Sequence, residues 1–581
     1  MARHDGEDDW VSRFAGEVIE ASERRAPGHP VVVASGLSPS GPIHLGNLRE
    51  VMTPHLVADE VRRRGVPCVH ILSWDDYDRF RRVPAGIDPS WSEHIGRPLS
   101  AVPAPEGSPY ASWAEHFKAP MIEAARRLGI EFVGISQTER YTSGAYTSQV
   151  LHAMRQRRQI DAVLARHRTK PKVAAGPKAR QDQLTESELA AAQAATEGSG
   201  AADEDDGSVA GSAAGEYYPY KPYCAACGRD TTTVTAYDDE TTMLHYVCAC
   251  GHEETIDLST DHRGKLVWKV DWPMRWAYEG VIFEPSGVDH QSPGSSFVVG
   301  GELVKEVFGG EQPIGPMYAF VGISGMAKMS SSKGSVPTPL DALEIMEPEV
   351  LRWLYARRKP QQSFTIAFDQ EIYRLYDEWD ALGRKVLEGT ATASQAVTYE
   401  RATHPGAGRL ARTPVVLPYR TLASVADITT GDPAQMLRIL GELDPENHPV
   451  TSLDEVRPRL DCAQAWVMTE MSADERTSVR EKPDSQLLAS LTAEQKDALA
   501  TLLSRLDQHW SLDGLTTLVY AVPKLQAGLE MDAAPTPEIK VAQRQFFALL
   551  YHLLVGRDTG PRLPTLLLAI GSPRIRTLLG E

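Results

Sequence analysis

Three groups of residues in this chain have the types and spacing to do chemistry. In Gly41-Pro42-Ile43-His44-Leu45-Gly46-Asn47 a glycine-rich turn opens a helix, where free N–H groups and the positive end of the helix dipole favour a phosphate. There the imidazole of His44 can donate to charge developing on that phosphate, and Gly46 leaves room for a base against the backbone. The second group, Lys328-Met329-Ser330-Ser331-Ser332-Lys333-Gly334, puts two ammonium groups and several hydroxyls on one loop, which suits a leaving pyrophosphate. Taken singly, the first is as readily a histidine capping a helix and the second a polar surface turn; together they imply a nucleoside triphosphate. The third group pairs Cys224-Ala225-Ala226-Cys227-Gly228 with Cys248-Ala249-Cys250-Gly251. That is the spacing of a ribbon holding a structural Zn2+, each thiol pair closed by a glycine turn. His252 is a spare ligand if one thiol faces away.

These groups need a frame. Pro30 to Ala34 is a β-branched run that predicts a buried strand, the turn Ser35 to Gly41 follows, Asn47 to Arg64 has helical periodicity, and Val66 to Leu72 predicts a second strand. Strand, glycine turn, helix, strand predicts an α/β fold with a Rossmann-type parallel sheet. Leu266 to Val270 and Phe297 to Gly300 read as returns to that sheet, and Gly322 to Gly325 as a turn before the lysine–serine loop. Between 170 and 215 the composition is Ala, Gly, Ser, Asp and Glu, too poor in large apolar residues to offset ordering entropy, so disorder is expected. From Pro348 the pattern is helical to Glu581, with proline-containing breaks near Pro414, Pro433, Pro483 and Pro523. The expected organisation is 1–90 as the first half of the sheet domain, 91–265 as an insertion with the disordered segment 170–215 and a zinc ribbon at 220–255, 266–347 as the second half with the lysine–serine loop, and 348–581 as an all-α domain.

A length of 581 residues exceeds what one core supports, which agrees with several modules. The first residues lack a basic segment followed by an apolar run, and no stretch has the apolar length to span a bilayer; a cytoplasmic protein without membrane contact is expected. The net charge of −18 argues against non-specific nucleic-acid binding, and DNA is not an expected partner. Basic residues nevertheless cluster at Arg62 to Arg64, at Arg79, Arg81 and Arg82, and from Arg155 to Lys172, which would confine RNA to a basic face.

The two phosphate motifs resemble the His-Ile-Gly-His and Lys-Met-Ser-Lys-Ser signatures of class I aminoacyl-tRNA synthetases. Here Asn47 stands for the second histidine and Ser331 for the second lysine, with Lys333 two places on. Trp74 to Pro84, Leu266 to Trp276, Phe283-Glu284-Pro285 with Asp289-His290, and Phe364 to Asp380 are similar to the lysyl branch of that class; these blocks run from about residue 30 to residue 380. The resemblance implies Mg2+-ATP, L-lysine and tRNA(Lys) as partners, and a lysyl-adenylate formed with release of pyrophosphate. It implies His44, Lys328 and Lys333 as catalytic groups, and Pro42, Ile43, His44, Gly46, Asn47 and Lys328 to Ser332 as ATP contacts. Gly36, Ser38, Trp268, His290 and Tyr318 line the amino-acid site by the same resemblance, and the chemistry of the residues themselves adds Asp271 as the anion for the substrate ammonium. Ala104 to Pro109 lacks the cysteine and histidine of the family's other metal site, so no second zinc is expected. Three rivals stay open: another class I specificity such as glutamate, an adenylating ligase that acts without tRNA, and a zinc-ribbon RNA-binding protein with a decayed nucleotide fold.

Overall fold

The β-branched run after Pro30 is a buried strand, β1 (Val31–Leu37), and the periodic segment behind it is the His44 helix, Leu45–Arg63. Strand β2 (Cys68–Trp74) runs parallel to β1 in register from Val31 opposite Cys68 to Leu37 opposite Trp74. Strand β3 (Val133–Ser136) adds in parallel to β2. The computed structural model describes residues 9–84, 87–168, 216–324, 336–406, 408–443, 449–472 and 474–580. The segment expected to be disordered, 170–215, and the whole of Lys328 to Gly334 lie outside the described residues.

The insertion carries β4 (Tyr220–Pro222), β5 (Thr232–Tyr237), β6 (Met243–Cys248), β7 (Glu253–Asp257) and β8 (Gly264–Leu266). Strands β5, β6 and β7 form an antiparallel meander, and β4 pairs antiparallel with β8 at its stem. Alternation puts Leu244, Tyr246 and Cys248 on the buried face of β6 and leaves Met243 and Val247 outside. Tyr223 ties this part to the sheet domain by donating its hydroxyl proton to the carbonyl of Tyr77 at 2.6 Å.

The chain then returns to the sheet, but later than the sequence suggests. Val267 to Val270 is not strand: the tryptophan helix, Trp268–Glu279, starts there, and Trp268, Trp272 and Trp276 recur at i, i+4 and i+8 on one face. Phe297 to Gly300 likewise belongs to a helix, Ser296–Glu306, because the β-branched run continues into Leu303 and Val304 at helical spacing, all buried with Val299. In both places packing of an apolar helix face outweighs local strand propensity. Strand β9 (Val281–Phe283) completes the parallel order β3-β2-β1-β9. Beyond it, β10 (Ser286–Gly287) pairs in parallel with β11 (Met317–Tyr318), and β12 (Val321–Ser324) with β13 (Phe364–Ala367). Residues 322–324, read as a turn, are thus strand, paired from Gly322 opposite Thr365 to Ser324 opposite Ala367.

The chain forms two compact units. One comprises Met1–Leu343, Pro348–Ala367 and Lys385–Leu410; the other comprises Glu344–Glu347, Phe368–Arg384 and Ala411–Glu581. The second unit is helical among its described residues. Its interior holds Arg459, which meets Glu347 at 2.7 Å and Asp380 at 2.9 Å, beside the stacked rings of Tyr376 and Tyr419 at 4.2 Å.

Candidate active site

His44 is the N-cap of its helix. Its Nδ1 accepts the N–H of Gly46 at 3.1 Å, and Asn47 Oδ1 accepts the N–H of His44 at 3.2 Å, closing a capping box. The position that holds a second histidine in the resembling motif therefore has a local task here, done by an amide. Because Nδ1 is an acceptor, the ring proton sits on Nε2, which is buried without a hydrogen-bond partner. Burial lowers the imidazole pKa to about 4, so near neutrality the ring is an uncharged N–H donor. Gly46 is required by the same geometry: a Cβ there would lie 2.8 Å from His44 Cε1.

His44, Gly46 and Asn47 line a cleft with Glu50, Gly287, Asp289, His290, Tyr318, Phe320, Ile323 and Val336. Ile323 and Val336 flank the segment 325–335, and Pro337 accepts the N–H of Leu45 at 2.8 Å. Both described ends of the segment containing the lysine–serine motif thus meet the His44 turn. Lys328, Met329, Ser330, Ser331, Ser332 and Lys333 themselves are outside the described residues.

At the other end of the cleft is an anion that the sequence reading did not select. Tyr318 donates its hydroxyl proton to Glu50 at 3.1 Å, and a Cβ on Gly36 would stand 3.9 Å from Glu50 Oε1. Burial raises the Glu50 carboxyl well above its usual range; the tyrosine opposes this, and the nearby Glu284, Asp289 and Asp75 reinforce it. Among the described residues, no arginine or lysine forms an ion pair with Glu50 or Glu284. The signal available in the sequence was spacing, since Glu50 lies one helical turn beyond Gly46 and so on the same face. Glu50 is half-buried, while its neighbour Arg49 is buried and fully used. Its guanidinium donates to the carbonyls of Ala319 at 2.8 Å, Lys359 at 2.9 Å and Gln362 at 2.9 Å, and lies over the Phe364 ring.

The remaining predicted residues fall into two sets. Trp268 stacks on Trp272 at 5.1 Å, and His290 packs against both rings, 6.5 Å from Trp268 and 5.5 Å from Trp272; this aromatic wall joins the cleft through His290. Gly36, Ser38, Pro42 and Ile43 lie on the end of β1 and the turn before His44, with Ser38 half-buried. Asp271 is elsewhere: it has no exposed surface, accepts the hydroxyl proton of Tyr141 at 2.6 Å, and pairs with Arg275 and with Lys265. Arg275 also meets Asp75 at 2.6 Å and lies 5.6 Å from the Trp268 ring. Asp271 does not line the cleft, and protein cations already neutralise it.

The sulfurs of Cys224, Cys227, Cys248 and Cys250 all lie within 4.8 Å of one another, with Cys224–Cys250 and Cys227–Cys248 at 3.7 Å. Tetrahedral ligands about 2.3 Å from a Zn2+ ion are separated by about 3.8 Å, so the four thiols fit that ion. Gly228 and Gly251, which follow the two pairs, adopt φ of 71° and 89°, the left-handed geometry such knuckles need. His252 Nε2 faces Glu254 at 3.5 Å. Of the basic clusters, Arg62 pairs with Asp59, Arg64 with Glu60, and Arg157 with Glu216 and Asp239, so these side chains have structural work inside the chain.

The family described as "tRNA synthetases class I (K)" matches residues 8–404. A relative from Streptomyces coelicolor, "Lysine--tRNA ligase", is 68% identical over 581 residues, covering 99% of this chain and 98% of the relative. Relatives of the same name from Pyrococcus horikoshii and Treponema pallidum are 31% and 29% identical; the first covers 97% of this chain and 97% of itself, the second 98% and 98%. Among the described residues no helix is long and apolar enough to cross a membrane.

Proposed function

We propose that this chain is a lysine–tRNA ligase, proceeding from the family to which it belongs, the class I tRNA synthetases. The observation that carries the specificity is the Glu50–Tyr318 pair: a half-buried carboxyl at the cleft, near further carboxylates and, among the described residues, without an arginine or lysine ion-pair partner. A carboxylate in that state favours a cationic ligand. Lysine supplies the ammonium, and its methylenes suit the aromatic wall of Trp268, Trp272 and His290. Glutamate would bring a carboxylate to the same anions, which disfavours the glutamate reading.

The lysine carboxylate attacks the α-phosphorus of ATP, forming the mixed anhydride lysyl-adenylate and expelling pyrophosphate. The terminal 2′-hydroxyl of tRNA(Lys) then attacks the carbonyl carbon, and AMP leaves. No enzyme nucleophile is needed, so catalysis is positioning and electrostatics. His44 donates from Nε2 to the α-phosphate, the turn Pro42-Ile43 and residues Gly46 and Asn47 hold the nucleotide, and Lys328 and Lys333, with Met329 to Ser332, meet the triphosphate from the segment that begins and ends beside His44. Mg2+ accompanies ATP as the substrate complex. Gly36, Ser38, Trp268, His290 and Tyr318 bind lysine around Glu50, while Asp271 supports the site from behind through Arg275. The four thiols would hold a structural Zn2+, the ribbon-bearing part from β4 to β8 receives the acceptor end of the tRNA, the helical second unit, chiefly Ala411–Glu581, receives the anticodon, and the enzyme works in the cytoplasm.

Pyrophosphate exchange measured with each of the twenty amino acids should respond to lysine alone, followed by charging of tRNA(Lys). Exchange driven by another amino acid rejects the specificity, and exchange without charging favours the tRNA-independent ligase. Replacing His44 by Ala should slow exchange about 10²- to 10³-fold, the usual effect of removing one charge-stabilising donor, while the lost helix cap costs only about 1 kcal/mol of stability.

A further inference from the structure

We propose that Glu284 is a positioning residue of the amino-acid pocket: its two carboxylate oxygens hold Trp272 and Trp276 and so fix the face that Trp272 turns toward Trp268 and His290. The inference rests on the lysine reading of that pocket. Glu284 follows β9 and is 6% exposed. Trp272 Nε1 donates to its Oε1 at 3.1 Å, and Trp276 Nε1 donates to its Oε2 at 2.6 Å. One carboxylate thus takes the only polar atoms of two adjacent indoles.

Core packing of aromatic rings does not call for this arrangement. An indole N–H in a core is satisfied by any carbonyl, whereas a buried carboxylate carries a desolvation cost that an uncharged residue avoids. What the carboxylate adds is orientation, because it accepts at both oxygens and donates at neither. Phe297 packs on both indoles, with ring centroids 5.8 Å and 5.4 Å away, and Gly300 lies so close under Trp276 that a Cβ would sit 2.8 Å from its ring. Trp276 is therefore held by shape as well as by its bond. Trp272 is the ring that reaches the site, stacked on Trp268 at an 18° interplanar angle and edge-on to His290. The backbone of Glu284 is itself fixed, its N–H bonded to the carbonyl of Ile314 at 3.1 Å.

Donor and acceptor counts give a test that a merely structural role does not meet. In Glu284→Gln the side-chain NH2 replaces one acceptor and opposes one indole N–H. In the full-length enzyme, KM for lysine in pyrophosphate exchange should rise about tenfold, the size expected for one opposed buried donor, while KM for ATP stays within about twofold. Adding Trp276→Phe removes the opposed donor and lets the amide oxygen accept from Trp272, so the double variant should recover lysine KM to within about threefold of the parent. If Glu284→Gln does not fold, Trp272→Phe is read in the same assay with the same expected split between the two KM values. A folded Glu284→Gln, or in its place Trp272→Phe, with lysine KM unchanged or with both KM values raised equally overturns the proposal, as does failure of the double variant to recover. Absence of lysine-dependent exchange in the parent enzyme would instead reject the specificity on which the proposal rests.

Discussion

Two groups of carboxylates in the first unit are organised in opposite ways. Asp271, Asp75 and Asp78 sit with Arg275 and Lys265, which between them pair with all three. Glu50 and Glu284 have a tyrosine and two indoles as hydrogen-bond donors and, among the described residues, no ion-pair partner. The first group is finished without a ligand. In the second, burial raises the Glu50 carboxyl, with the neighbouring acids reinforcing it, and burial takes Glu284 to about 7 against the pull of the two indole N–H groups and Arg275. A cation site is thus marked less by the presence of acids than by the countercharge that the fold withholds.

Neutralising Glu50 gives the largest contrast. Glu50→Gln should raise KM for lysine on the order of 10²- to 10³-fold, since a charge pair between a ligand and a desolvated protein group is worth several kcal/mol, with ATP affinity unchanged and the thermal midpoint equal or higher. An unchanged lysine KM would remove Glu50 from the site. Asp271→Asn tests the other group: Arg275 keeps Asp75 and Lys265 keeps Asp78, so the loss is that of buried charge-assisted bonds and should cost about 3 kcal/mol of stability in denaturant unfolding. If it instead spared stability and abolished lysine binding, the distinction between the two groups would fail.

The smallest effect is in pH. Glu284 titrates near 7 in the fold because burial raises it, partly opposed by the two indole N–H groups, so the native state holds a proton that the unfolded chain has lost. Its contribution to stability is complete below about 4.5 and declines as pH rises through about 7, by up to about 3 kcal/mol. Glu50 is shifted in the same direction. Without lysine, the parent should therefore lose stability relative to Glu284→Gln over that interval, measured by urea unfolding; parallel curves would show that Glu284 titrates as an ordinary carboxyl.

Much of the frame was legible because it is encoded locally. The run Val31 to Val33, the glycine turn and the periodic helix identify β1 and the His44 helix, and the two thiol pairs identify the ribbon from spacing alone. The tryptophan segment was read as strand because Val267 and Val270 carry strand propensity, while the i, i+4 series of Trp268, Trp272 and Trp276 that makes it a helix acts through contacts distant in sequence. The tryptophans beside Asp271 make it look like a substrate anion in the sequence; Arg275 at i+4 is the sign that a protein cation occupies it. The one local sign of Glu50, its place a helical turn beyond Gly46, is shared with many solvated helix acids and does not single it out. Only Tyr318, 268 residues on, and the acids around it give Glu50 its character.

Arg49 and Glu50 stand side by side on the His44 helix, one anchoring the strand that carries Tyr318 and the other facing the ligand. Sliding or rotating that helix by a single residue would exchange a cation for an anion at the recognition point and release the anchor at once. Retuning which side chain is accepted is thereby confined to point changes at position 50 and the wall opposite, with the scaffold inherited unaltered.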